Sequence, residues 1–136
     1  MNAATNKDDV RRFLELLYEP GDVFEVRAPK CRERPNASYE ATVAGYFNNI
    51  DKAVDAIAEV DGPGLAPAVY TTMNPVKPDL LARANNRLKF KAKTTTADSA
   101  IVRRRWLLVD LDPDREADIS SSDAELADSQ KRAEAV

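Results

Sequence analysis

The stretch Ile101–Arg115 reads IVRRRWLLVDLDPDR. Three arginines lead into Trp106, an apolar run follows, and Asp110 and Asp112 flank Leu111 before Pro113 closes the run. An apolar run rich in large and branched residues and stopped by proline predicts a mostly buried strand. Side chains alternate along a strand, so Arg104, Trp106, Leu108, Asp110 and Asp112 share one face. Arg105, Leu107, Val109 and Leu111 share the other. The Cα atoms of the two aspartates are then about 6.6–7 Å apart, from the strand rise of ~3.3 Å per residue.

Two carboxylates so placed repel each other and are costly to bury unpaired. They can bend onto one hard cation, or onto a close pair of them, and Mg²⁺ or Mn²⁺ suits oxygen donors that leave room for substrate phosphates. An acidic strand end entering a solvated turn carries the same pair. Asp114 offers a third carboxylate, but the turn at Pro113 leaves its direction open.

The rest of the 136-residue chain narrows the choice. Its length suits one domain with a real core. There are no histidines, which excludes Ser-His-Asp and Cys-His catalysis and argues against zinc. The single cysteine, Cys31, excludes an internal disulfide and fits a reducing, cytoplasmic setting. The polar start is not a signal peptide, and no apolar run is long enough to span a bilayer.

The net charge of −3 hides an asymmetry. From Arg83 to Arg105 eight basic residues face one acid, a net +7; from Trp106 to the end three basic residues face nine acids, a net −6. A basic segment feeding an acidic strand end suits phosphates plus metal; solvated loops explain the charge equally. Lys91, Lys93, Arg103, Arg104 and Arg105 are the candidates for nucleic-acid contact. Arg104 lies six residues from Asp110, about 20 Å of strand, too far to share one metal-bound phosphate. Trp106 is either a core residue or a base-stacking surface.

The remaining elements follow from periodicity. Val10, Phe13, Leu14 and Leu17 predict a helix over Lys7–Tyr18 capped by Asn6 or Thr5. Strands are expected at 23–28, ended by Pro29, and at Thr42–Phe47 with Gly45 as a bulge. A helix over Asn49–Val60 is capped by Asn48 or Asn49 and stopped by Asp61-Gly62-Pro63-Gly64. Ala68–Met73 reads as a third strand, Asp79–Leu88 as a short helix, and Phe90–Ser99 as a flexible basic loop. Ser122-x-x-Glu125 is a capping box that opens a last helix running to Val136. This alternation predicts an α+β (mixed α/β) sheet with helices packed on it. No dinucleotide or P-loop motif is present.

Taken together, AGYF at 44–47, VYTTMNPV at 69–76, LLARANNRL at 80–88, RRRWLLVDLDPDR at 103–115 and DISSSDAE at 118–125 form a pattern. Over roughly 23–127 the chain resembles the N-terminal part of bacterial, phage and plasmid primase-polymerases of the archaeo-eukaryotic primase superfamily. The resemblance implies an α/β unit beside an RRM-like unit, and metal-dependent, DNA-templated nucleotidyl transfer in replication or primer synthesis. Asp110 and Asp112 occupy the family's first catalytic motif, where they bind Mg²⁺ or Mn²⁺ and position a nucleoside triphosphate. The implied partners are a DNA template or primer, nucleoside triphosphates, and a helicase domain or protein.

The family's second motif carries a histidine and its third a further acid, both downstream; this chain has neither. The expectation is a single partial domain over 1–136 with an incomplete active site. The alternative is a non-catalytic module that binds DNA or a replication partner. A metal-dependent nuclease using the same acids is a third reading, with no further motif of such enzymes visible.

Overall fold

The computed structural model describes residues 4–136. They form two compact units, a first that ends at Trp106 and a second, Leu107–Val136. The α+β class expected from the alternation is the one the chain adopts.

The first unit opens with α1, Lys7–Leu17. Asn6 caps it: its side-chain oxygen accepts from the backbone of Asp8 and Asp9 at 3.1 and 3.3 Å. Leu14 and Leu17 face inward, while Phe13, expected in the stripe, is half-exposed. Strand β1, Phe24–Arg32, pairs antiparallel with β2, Glu40–Phe47. Helix α2, Ile50–Asp61, follows, with Asn49 capping Lys52 N at 3.0 Å. Strand β3 is only Tyr70–Thr71, shorter than the 68–73 expected, and the sheet order is β2-β1-β3.

One face of this sheet carries the core. Phe24, Val26 and Phe47 pack with Leu14, Leu17, Val54 and Ile57 from the two helices. The Tyr18 ring stacks on Phe24 at 4.1 Å between centroids. Each fully buried aromatic of this kind contributes about 1.5–3 kcal/mol. Strand alternation sends Glu25, Arg27 and Tyr46 to the opposite face, where Val23, Tyr46, Val76 and Leu80 form a second cluster with Ile101 alongside.

Four local expectations are corrected. Pro29 does not end β1: the register shifts between Ala28 and Cys31, and Lys30 takes a positive φ of 52°. A bulge absorbs the proline there, so pairing resumes beyond it. Gly45 is not a bulge, since the register from Phe24–Phe47 to Ala28–Val43 is unbroken. It is a crossing point, where a Cβ would sit 1.9 Å from the Arg87 carbonyl oxygen. The helix expected over 79–88 is a 3-10 turn, Pro78–Arg83, because residues 84–92 leave the helical path to run along β2. Ala44 and Lys89 exchange backbone hydrogen bonds at 3.2 and 2.9 Å, and Ala92 N reaches Thr42 O at 2.9 Å.

The fourth correction concerns the buried strand expected over Ile101–Asp112. Ile101 does bridge to Val76, but 102–112 has no strand conformation, and Leu107 and Leu108 are 86 % and 72 % exposed. A strand exists only with a neighbour that takes up its backbone hydrogen bonds, and 102–112 pairs with no strand among the described residues. The face-sharing inferred from alternation falls with it.

In the second unit the extended segment is tied to α3, Asp123–Glu134. The capping box forms as expected, Ser122 N donating to Glu125 at 2.8 Å. The buried contact of α3 is made by Ser129, whose hydroxyl donates to Leu111 O at 2.8 Å, while Leu126 stays exposed. No helix among the described residues is long and apolar enough to cross a membrane.

Candidate nucleic-acid interface and acidic pair

The polar face of the sheet is built around Glu25, which sequence reasoning did not single out. It is 2 % exposed. A buried carboxylate must be paired and fully hydrogen-bonded, and this one is. Arg27, two residues on and so on the same face, meets it at 2.6 Å. Tyr46 donates from the facing strand at 3.0 Å. Thr96 closes the set, its backbone N–H and hydroxyl donating at 2.8 and 2.9 Å. The signal was available: one acid in an apolar strand with arginine at i+2. The result pins the 93–96 segment onto the sheet.

Beside that anchor lies a pocket of about 440 Å³ whose floor is Ala44 and Tyr46 and whose walls carry Arg83, Lys89, Lys91 and Lys93. Two of the expected nucleic-acid residues, Lys91 and Lys93, thus come together, with Lys89 and Arg83 added by the backbone pairing along β2. None of the four enters a salt bridge among the described residues. Lys91, at a positive φ of 57°, sets its ammonium 4.8 Å from the centroid of the Tyr39 ring.

The arginine run is placed differently. Arg103 meets Glu19 at 2.7 Å and Asp22 at 3.7 Å; Arg105 meets the same two acids at 3.1 and 3.6 Å. Arg105 also donates to Leu17 O, which Trp106 Nε1 reaches at 3.1 Å. Arg104 is exposed. Of the three, then, Arg103 and Arg105 are committed to the turn after α1.

Asn74, nine-tenths buried, holds this run from the side. Its Oδ1 accepts from the backbone of Arg105 and Trp106 at 2.8 and 2.9 Å, and its Nδ2 donates to Trp106 O at 3.1 Å. Trp106 is not a core residue: it is 36 % exposed, and the indole N–H is satisfied at the helix end.

Asp110 and Asp112 lie in the second unit, both exposed, on the extended segment before Pro113. Arg132 donates to the Asp112 carbonyl at 3.2 Å and approaches Asp114 at 3.8 Å. Among the described residues no three His, Cys, Asp or Glu side chains converge to hold a metal ion. Hard divalent cations take six or more oxygens, of which proteins commonly supply one or two carboxylates and substrate phosphates the rest. Two carboxylates by themselves fall short of the two-ion arrangement of nucleotidyl transfer.

No family model, curated protein or solved structure matches the chain.

Proposed function

We propose that the chain is a DNA-handling module of primase-polymerase type, in which Asp110 and Asp112 are the ligands for a single Mg²⁺ or Mn²⁺. The observation that carries this reading is the Asn74 clamp. Asn74 belongs to VYTTMNPV and grips the backbone of Arg105 and Trp106 in RRRWLLVDLDPDR. In the same way AGYF and LLARANNRL meet where Gly45 admits the Arg87 carbonyl. Parts of the stretches that carry the family resemblance, scattered over some sixty residues, are thus neighbours in the first unit, which supports reading them as one inherited pattern; Asp110 and Asp112 belong to the second unit.

With two carboxylates the module supplies the start of a metal site and no more, so primer synthesis is assigned to a protein that adds further acids and phosphate donors. The second reading, a non-catalytic DNA-binding module, is favoured by the exposure of the acidic pair and by the basic pocket on the first unit.

The test is a Mn²⁺ titration followed by paramagnetic broadening of backbone amide signals. Broadening centred on residues 109–113 that disappears in Asp110→Asn/Asp112→Asn supports the metal assignment. Uniform broadening, or broadening the double substitution leaves in place, sinks it and leaves the non-catalytic reading.

A further inference from the structure

We infer that the Arg83–Lys93 pocket and the Tyr39 ring beside it form a binding surface for single-stranded nucleic acid, lysines taking the backbone phosphates and tyrosine the base. The inference deepens the DNA-handling reading and does not use Asp110 or Asp112.

Non-specific single-strand sites combine a cationic groove with exposed aromatic rings on which bases stack. Both parts are present and share one residue. Lys91 lines the pocket and its ammonium also lies 4.8 Å from the Tyr39 ring centroid. Tyr39 is 59 % exposed. It is buttressed: Phe90 meets it edge-on, with centroids 6.4 Å apart at 74°. The ring is thus held in place, with the Lys91 ammonium over it.

The electrostatics favour a polyanion. Lys89, Lys91 and Lys93 project from one short segment that backbone bonds to Ala44 and Thr42 hold against β2. Glu25, which holds Thr96 just beyond this segment, is already paired with Arg27 and hydrogen-bonded by Tyr46 and Thr96. Its charge is offset, so an arriving phosphate meets a net positive field. A phosphate drawn to Lys89 and Lys93 lies one side-chain length from the ring that Lys91 covers. Lys91 can turn to that phosphate and release the ring face to the adjoining base. Duplex DNA keeps its base faces stacked internally and cannot use the ring in this way.

The experiment is fluorescence anisotropy of a labelled twenty-residue oligothymidylate with the full chain, in EDTA, from about 50 to 250 mM salt. The expected result is salt-dependent binding. In Lys89→Gln/Lys91→Gln/Lys93→Gln the log–log salt slope should fall by about 2, from ~0.7 per single-strand phosphate contact. Tyr39→Ala should weaken binding about tenfold at unchanged slope, and Tyr39→Phe should restore it. A duplex of equal length should bind more weakly, and free thymidine triphosphate should fail to compete at matched phosphate concentration.

An unchanged slope in the triple variant, equal affinity for duplex, or full competition by the triphosphate each overturns the inference, the last in favour of a free-nucleotide site. Because EDTA removes metal from the measurement, failure here is separable from failure of the acidic pair to bind Mn²⁺.

Discussion

Glu25 and Tyr46 stand opposite each other across β1 and β2, and the tyrosine hydroxyl donates to the buried carboxylate at 3.0 Å. Glu25→Ala leaves Tyr46 and the Thr96 N–H without their acceptor. Each unsatisfied buried group costs about 1–3 kcal/mol. Arg27 is one-third exposed and can turn to water, so its stranding adds little. Of Tyr46 and Thr96 only Tyr46 is fully buried, so urea unfolding should show a loss of about 1–3 kcal/mol, and amide exchange around Thr96 should accelerate. Unchanged exchange at Thr96 would disconnect the loop from this anchor.

Gly45→Ala should be more damaging than its one methyl suggests. The new Cβ falls 1.9 Å from the Arg87 carbonyl oxygen, a backbone atom that cannot swing away. Overpacking usually costs about 1–3 kcal/mol, and a backbone clash belongs at the upper end or beyond. The midpoint of thermal unfolding reads it directly. A neutral substitution would mean that residues 85–89 do not cross β2 there.

Asn74→Ala removes the acceptor for two backbone N–H groups and the donor to Trp106 O. Because Trp106 is the sole tryptophan, its emission reports on this clamp alone. A red shift is expected, together with a stability loss of about 1–3 kcal/mol. Asn74→Asp keeps the acceptor but sets a buried carboxylate against the Trp106 carbonyl, so its loss should be at least as large.

The capping box makes α3 pH-sensitive. Hydrogen bonds from the Ser122 backbone and then from its hydroxyl lower the Glu125 carboxyl below its ordinary value of 4.5. A depressed carboxyl stabilises the fold above its unfolded-state value and loses that contribution as pH falls through the folded one. Helical signal from 123–134 should therefore decline below about pH 4.5. Ser122→Ala should start from less helix and show a shallower decline, as a cap substitution costs about 1 kcal/mol. Equal pH profiles for the two proteins would rule out the cap as the titrating device.

What the sequence disclosed divides along the range of the interactions involved. Asn6, Asn49 and Ser122 were readable as helix starts because a cap and its target are three residues apart. The alternation of Phe24 and Val26 placed β1 for the same reason. The run at 107–112 has every local mark of a strand yet forms none, since a strand is a property of two chains of backbone and the second is not supplied by local composition. Gly45 looked like a bulge because glycine in a strand signals either a bulge or a close approach, and only the path of Arg87 distinguishes them. Within the site, the basic character of Lys91 and Lys93 was legible, while their grouping with Lys89 and Arg83 required the pairing along β2. Pairing of Arg103 and Arg105 with Glu19 and Asp22 spans more than eighty residues and left no local trace.

The contact between Glu25 and Thr96 also sets an order of events. It closes a loop of 71 residues, one of the longest in the first unit. Contacts so distant form late, because the chain entropy of closure must be met before they contribute. Helices α1 and α2 and the β1–β2 pair can assemble first around Phe24 and Phe47. The bonds of Lys89 and Ala92 to Ala44 and Thr42 close shorter loops and seat the lysine segment on β2 earlier, and the Thr96 contact then fixes its far end. A newly made chain therefore gives the cationic pocket its final shape only late, when the far end of its wall is tied down by the most distant of its contacts.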